Sequence, residues 1–175
     1  KADLEKIRDG VRAEIEAKGA NKFVIVAFHK APYGGYHQKE SDVKTIVQYW
    51  VPMFEEMGVD LVLNGHDHNY IRSYPLKGGV PSAHGDASQP INTDEAGVVY
   101  QVTGHSGEKY YAMPARRGDM EVLWTPQPSI SSGDAAAYSV ITVGKNEILV
   151  KSYSVGGILL DSYALTDDTS MLLAA

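Results

Sequence analysis

Two apolar segments, each followed closely by a histidine, constrain the fold of this chain most strongly. Residues 23–28 (FVIVAF) directly precede His29, and two residues separate residues 59–63 (VDLVL) from His66. Short runs rich in β-branched residues are typical of strands covered on both faces. Residues 41–57 between them carry apolar side chains at helical spacing. The order strand, helix, strand predicts a right-handed parallel β-α-β unit.

The flanking sequence predicts one helix before this unit and mainly strands after it. Apolar residues recur at helical spacing over residues 3–18, and residues 98–103 form another apolar run. Three alternating segments near the C-terminus are separated by short hairpin signals and predict an antiparallel meander in a second sheet: residues 137–143, 147–155 and 158–165. We therefore expect an α/β fold of mixed α+β character.

The remaining segments predict loops within a single domain. Residues 30–40, 77–97 and 112–135 are expected to be irregular, and the first of them is rich in glycine and tyrosine. We expect that first loop to form the rim of a site, because catalytic groups favour loops on rigid scaffolds. Residues 1–166 are expected to form the domain, and residues 167–175 a fraying tail.

Composition argues against several classes of function. The net charge is -6, and the longest basic run is Arg116-Arg117, which is not typical of nucleic-acid binding. The chain has no cysteine, and therefore no disulfide, thiolate zinc site or cysteine nucleophile. No apolar stretch approaches the roughly 20 residues that span a bilayer, so no membrane partner is expected.

The histidines after the two strands predict a metal site. His66 and His68 are two positions apart, so in an extended backbone they point to the same side. His29 ends the neighbouring strand, and ligands of open α/β sheets bind beyond the carboxyl ends of strands. Neutral imidazole is the commonest metal ligand, and nitrogen or oxygen ligation without thiolate suits Zn, Fe or Mn. The alternative is a surface histidine pair with no role.

The two strand ends resemble a known family. His29-Lys30-Ala31-Pro32-Tyr33 and Gly65-His66-Asp67-His68-Asn69-Tyr70-Ile71-Arg72 resemble the C-terminal half of calcineurin-like metallophosphoesterases, in the branch of purple acid phosphatases and their bacterial relatives. The similarity runs from about residue 23 to residue 165. It implies the C-terminal half of a four-layer α/β/β/α sandwich, a secreted or cell-surface bacterial location, and hydrolysis of phosphate mono- or diesters.

The resemblance also implies a role for individual residues around two metal ions. His29 and His66 would bind one ion, and His68 would bind the other. His37 would contact the phosphate or protonate the leaving group. Ile71 departs from the family, which usually has an acidic residue at this position.

Other residues are expected to surround the phosphoester substrate. Tyr33 and Tyr36 would frame it, and His105 would line the pocket from a glycine-rich loop. Asp67 alternates with the histidines on either side, so we expect it to point away from them and to orient a neighbouring ligand.

Ligands that the family has in its N-terminal half are missing. The motifs Asp-x-His, Gly-Asp-x-x-Asp or Gly-Asp-x-x-Tyr, and Gly-Asn-His do not occur in this sequence. We therefore expect half of an active site, with the missing N-terminal half of the domain as a partner. By itself the chain is expected to bind metal weakly and hydrolyse little. The start at Lys1 within a helical pattern favours truncation or processing.

Two other functions fit the same residues. One is a non-catalytic β-rich binding or assembly module that keeps a vestigial histidine cluster. The other is a mononuclear hydrolase site formed by His29, His66 and His68, which has the ligand number of catalytic zinc sites.

Overall fold

The computed structural model of the chain describes residues 2–18, 23–82, 89–111 and 136–167. The predicted connection over residues 112–135 lies outside these ranges, as does the predicted tail except for Asp167. Among the helices of the described ranges, none combines the length and apolar character needed to cross a membrane.

Helices form a layer on one side of the molecule. Helix α1 spans Ala2–Lys18, as its periodicity predicts. Helix α2 (Ser41–Thr45) passes through a π-helical turn, Ile46–Trp50, into α3 (Val51–Glu56). Pro52 lies in the first turn of α3. Because proline has no N–H and its ring crowds the carbonyl four residues earlier, the regular helical bond cannot form there, and the wider turn precedes it.

The first sheet contains the predicted β-α-β unit. Strands are numbered along the chain, and this sheet consists of β1 (Ile25–Lys30), β2 (Leu61–Gly65), β3 (Tyr70–Arg72) and β7 (Val99–Thr103). Their order is β1-β2-β7-β3. The pairs β1–β2 and β2–β7 are parallel, and β3 runs antiparallel to β7. The predicted parallel pairing is therefore confirmed.

The second sheet contains the predicted meander. It consists of β6 (Ile91–Asn92), β8 (Ala137–Val143), β9 (Ile148–Ser154) and β10 (Leu159–Thr166), in the order β6-β10-β9-β8. The pairs β8–β9 and β9–β10 are antiparallel, so the meander is confirmed.

The segment predicted as an inserted loop, residues 77–97, is more ordered than expected. Strands β4 (Leu76–Lys77) and β5 (Val80–Pro81) form a small hairpin, and a short helix α4 covers Thr93–Ala96. Strand β6 pairs in parallel with β10. A strand of two residues has no periodicity of its own. Only its pairing with a strand 74 positions further along the chain, with Thr166 opposite Asn92, reveals it.

Two apolar layers hold the helices and sheets together. On the helix side of the first sheet, Val51 and Phe54 of α3 pack with the strand residues Val62 and Val102. The second layer lies between the sheets and is formed by Leu61, Val99, Ile148, Val150, Tyr163 and Leu165. The described residues thus form the layers α/β/β, in agreement with the predicted fold class.

Strand β1 is covered less completely than its apolar sequence predicts. Phe28 packs on the helix side, with ring centroids 5.9 Å from Trp50 and 5.8 Å from Phe54. The opposite face is exposed, with Ile25 36% accessible. Because β1 is the last strand of its sheet among the described residues, one of its edges also has no neighbouring strand there. Coverage on both faces is therefore not observed in the described part of the chain.

A buried polar network joins the two sheets. Arg72 of β3 donates to Asp161 of β10 through Nε (2.6 Å) and Nη2 (3.2 Å), and the Tyr70 hydroxyl donates to the same carboxylate at 2.9 Å. The Arg72 guanidinium lies 4.4 Å from the centre of the Tyr163 ring, and the Tyr163 hydroxyl donates to Gln101 at 2.6 Å. These bonds connect the strand that follows His68 with the meander.

Candidate metal centre

His29 and His66 meet at the carboxyl ends of β1 and β2. His29 is the second-last residue of β1, and His66 directly follows β2. Because the strands are parallel neighbours, both imidazoles project from the same edge of the sheet. His66 Nδ1 lies 3.3 Å from His29 Nε2, and the ring planes are inclined at 70°. The predicted convergence of these two histidines is thus present in the structure.

The backbone and the environment of His66 are both unusual. Its φ of 66° is left-handed, the only positive φ of a non-glycine residue among the described residues. Such a conformation costs roughly 1–3 kcal/mol and is often found at functional sites. Burial is the main cause that lowers the pKa of His66, and the His37 imidazole is the second. A lowered pKa favours the neutral ring, which is the form that binds a metal ion.

His37 is held by a buried carboxylate. His37 Nδ1 is paired with Asp67 Oδ1, and the backbone N–H of Tyr36 donates to Asp67 Oδ2 at 2.9 Å. Asp67 is only 1% exposed. A Cβ at Gly34 would overlap the Asp67 carboxylate, so this position needs glycine for the carboxylate to fit. Asp67 thus orients His37, while its predicted direction away from the histidines on either side stays a prediction.

Glu40 completes a group of ligand atoms around His66. Glu40 Oε2 lies 3.5 Å from His66 Nε2, and the His37 and His66 ring centres are 4.1 Å apart. The ligating atoms of His37, Glu40 and His66 all lie within 4.8 Å of one another. Lys30 binds the same Glu40 carboxylate at 2.7 Å and lowers its pKa through this bond. We call these three residues the His37–Glu40–His66 cluster.

His68 lies in a different group of rings. Its Nδ1 bonds to the carbonyl of Lys109 at 2.8 Å, and its ring stacks on Tyr111 at 4.9 Å and, at 6.1 Å, on His105. His105 Nδ1 bonds to the carbonyl of Gly107 at 2.8 Å. A carbonyl oxygen only accepts, so Nδ1 of each ring is the donor in these bonds. Among the described residues, His68 does not belong to a three-residue group of ligating atoms.

The two tyrosines predicted near the substrate differ in exposure. Tyr33 is 6% exposed and packs edge-on against Tyr100 in the core, with ring centres 4.8 Å apart. Burial raises the pKa of Tyr33 to about 12. Tyr36 is 43% exposed and lies 4.9 Å from the Tyr111 ring, beside His37. Tyr36 therefore lies on the site surface, whereas Tyr33 supports the loop from below; their contact with substrate remains a prediction.

Sequence reasoning missed Glu40, and it assigned Asp67 no named partner. Glu40 lies 11 positions after His29 on a loop, where no periodicity indicates its direction. The signal that was available is the spacing of His37 and Glu40 three residues apart, just before a helix that begins at Ser41. The tertiary fold alone brings Asp67 back to His37, across 30 positions of sequence.

The chain resembles several known proteins over part of their length. No protein-family model matches it. Two curated relatives, the uncharacterized proteins MT2654 and Rv2577 of Mycobacterium tuberculosis, are each 32% identical over 93 residues, which is 49% of this chain and 17% of the relative. The match thus spans about a sixth of either relative.

Two solved structures share the fold. The purple acid phosphatase PPD1 from yellow lupin (Lupinus luteus) seeds superposes with a TM-score of 0.69 and 16% identity, over 95% of this chain and 29% of that one. GAP50, the anchor in the inner membrane complex of Plasmodium, superposes with a TM-score of 0.53 and 16% identity, over 96% and 47% respectively. The described part of the chain therefore has the fold of a segment of a purple acid phosphatase, a metallophosphoesterase-like fold.

Proposed function

We propose that this chain is the histidine-bearing part of a metal-dependent phosphoester hydrolase. The observation that carries the proposal is the convergence of His29, His66 and His37 at the carboxyl ends of β1 and β2, within a purple acid phosphatase fold. In such folds this edge is where ligands bind. The substrates would be phosphate mono- or diesters, and the whole protein would supply the remaining ligands.

The imidazole nitrogens of the candidate centre suit the metal ions that the fold implies. Burial lowers the pKa of His66 and so favours its neutral form, and its Nδ1 faces His29 Nε2 at 3.3 Å. His29 and His66 would hold one ion and His68 the other, all through imidazole, which suits Zn, Fe or Mn. When bound, two such ions lower the pKa of a water molecule and neutralise the phosphoryl oxygens.

His37 would act on the leaving group. The Asp67 carboxylate engages Nδ1, so Nε2 is the nitrogen left for proton transfer. A positioned general acid contributes typically about 10²–10⁴-fold. Tyr36 and Tyr111 lie beside His37 and would exclude water from one side of the substrate.

The exposed face and edge of strand β1 support the proposal that another segment of the protein covers it. One face of β1 is exposed, and one of its edges has no neighbouring strand among the described residues. An exposed apolar edge strand is a template for pairing with another segment. The predicted N-terminal half of the domain would both cover this strand and supply the carboxylate ligands.

We expect His66→Ala to lower kcat by at least about 100-fold, because even residues behind a metal ligand are worth 10–100-fold. Turnover is measured with p-nitrophenyl phosphate and bis(p-nitrophenyl) phosphate in the longest natural polypeptide that contains this sequence, loaded with Zn²⁺, Fe³⁺ or Mn²⁺. The isolated chain is assayed in parallel and is expected to hydrolyse little. A metal-loaded long polypeptide with no turnover of either ester would contradict the proposal.

A binding or assembly module is the second candidate. The similarity to GAP50, described as an anchor, favours it. So do the exposed apolar side chains Tyr138, Val140 and Val143 on β8, which are 48–58% accessible. This candidate predicts that the long polypeptide has no turnover and that His66→Ala changes only stability. The same assay therefore distinguishes the two functions.

A further inference from the structure

We propose that Tyr36 makes the candidate site selective for phosphoesters whose leaving group carries an aromatic ring, with Tyr111 as its support. This inference rests on the proposed function, because it concerns the substrate of the same site. Tyr36 is 43% exposed on the loop that follows β1, and its ring centre lies 6.5 Å from that of His37. Since His37 would protonate the leaving group, that group would depart beside the Tyr36 ring.

A buried carboxylate fixes the position of Tyr36 relative to His37. The backbone N–H of Tyr36 donates to Asp67 Oδ2 at 2.9 Å, and His37 Nδ1 is paired with Oδ1 of the same side chain. Asp67 is only 1% exposed, so the surrounding packing holds this carboxylate in place. One group therefore positions both the aromatic ring and the proposed acid. A preorganised surface of this kind loses less conformational freedom when a ligand binds.

Tyr111 supports the Tyr36 ring from the loop after β7. The two ring centres are 4.9 Å apart, a distance typical of attractive aromatic pairs. The backbone N–H of Tyr111 donates to the carbonyl of His68 at 2.9 Å, and its ring stacks on the His68 ring. The Lys109 ammonium lies 5.1 Å from the centre of the Tyr111 ring. Tyr111 is therefore the partly buried, supporting member of the pair, and Tyr36 presents the more exposed ring.

An exposed tyrosine ring favours a second aromatic ring over a saturated ring of similar size. Both kinds of ring remove a similar apolar area from water when they lie on Tyr36. Only the aromatic ring gains the attraction between the positive edge of one ring and the negative face of the other, which is worth about 2–10-fold in affinity. The substrate class is therefore phosphoesters with an aryl or arylmethyl leaving group.

The test is a calorimetric titration of the metal-loaded long polypeptide with two phosphonates, whose carbon–phosphorus bond is not hydrolysed. Benzylphosphonate carries an aromatic ring, and cyclohexylmethylphosphonate carries a saturated ring on the same methylene group. We expect benzylphosphonate to bind about 2–10-fold more tightly. Tyr36→Leu is expected to remove this preference. Tyr36→Phe is expected to keep it, because the ring and not the hydroxyl makes the contact.

Two further variants separate selectivity from stability. Tyr49→Leu is the matched control, since Tyr49 is 48% exposed and lies in the π-helical turn Ile46–Trp50; both affinities are expected to equal those of the wild type. Tyr111→Leu is expected to weaken the preference while the affinity for cyclohexylmethylphosphonate stays the same. A merely structural loss would lower both affinities by the same factor. Circular dichroism verifies that all variants are folded.

Two outcomes would overturn the proposal. One is that the wild type binds both phosphonates with the same affinity, or binds neither. The other is a preference that persists in Tyr36→Leu. Ester hydrolysis by the long polypeptide without a preference for benzylphosphonate would support the hydrolase and contradict this inference. A preference that depends on Tyr36, in a long polypeptide without turnover, would do the reverse.

Discussion

Asp161→Ala is expected to lower the free energy of unfolding by about 3–5 kcal/mol, the usual cost of removing one partner of a buried ion pair. Asp161 accepts bonds from Arg72 and Tyr70, and the Arg72 side chain is only 6% exposed. Without the carboxylate, the guanidinium remains buried between the sheets with its charge uncompensated by Asp161. Urea denaturation followed by circular dichroism measures the change.

A surface ion pair provides the control for this prediction. Glu56 pairs with Arg12 at 2.5 Å, but its side chain is 55% exposed. Glu56→Ala is therefore expected to lower the free energy of unfolding far less than Asp161→Ala, because solvent screens an exposed pair. In the double variant Arg72→Met/Asp161→Leu both charges are removed, and we expect most of the lost stability to return. Equal losses in Asp161→Ala and Glu56→Ala would contradict the role given to the network.

Asp67→Asn is expected to keep the fold and to change the tautomer of His37. The Asn oxygen must accept the N–H of Tyr36, so its amide NH₂ is directed at His37 Nδ1. Nδ1 then becomes an acceptor and Nε2 carries the proton, so the ring loses the carboxylate that stabilises the imidazolium form used in proton transfer. We expect kcat of the metal-loaded long polypeptide to fall about 10²–10⁴-fold, the usual contribution of a positioned general acid. Nitrogen-15 chemical shifts of the His37 ring report the tautomer directly.

Gly34→Ala tests the same contact from the opposite side. A Cβ there overlaps the Asp67 carboxylate and must displace it, so the His37 tautomer and kcat of the long polypeptide are expected to change in the same direction. Gly10→Ala is the matched control, since a Cβ at Gly10 has no atom within 4 Å, and in a helix this change stabilises by roughly 0.5–1 kcal/mol. An unchanged His37 spectrum in both Asp67→Asn and Gly34→Ala would show that Asp67 does not position the ring.

Much of the fold follows from local patterns. The periodicity of residues 3–18, the apolar runs at 23–28 and 59–63 and the alternation from residue 137 onwards correspond to α1, β1, β2 and the meander. Strand β1 was placed about two residues too early, because His29 and Lys30 continue the extended backbone although their side chains are polar. The short strand β6 was missed, because its pairing with β10 depends on a distant segment.

The candidate site, like the fold, follows partly from the sequence and partly from the tertiary structure. The sequence determined that His29 and His66 lie at one edge of the sheet, because parallel neighbouring strands end together there. Only the tertiary structure decided that Asp67 supports His37, that Glu40 faces His66 and that His68 stacks on Tyr111. These contacts join loops, whose side-chain directions follow from no repeating pattern and are set by the packing of segments distant in the chain.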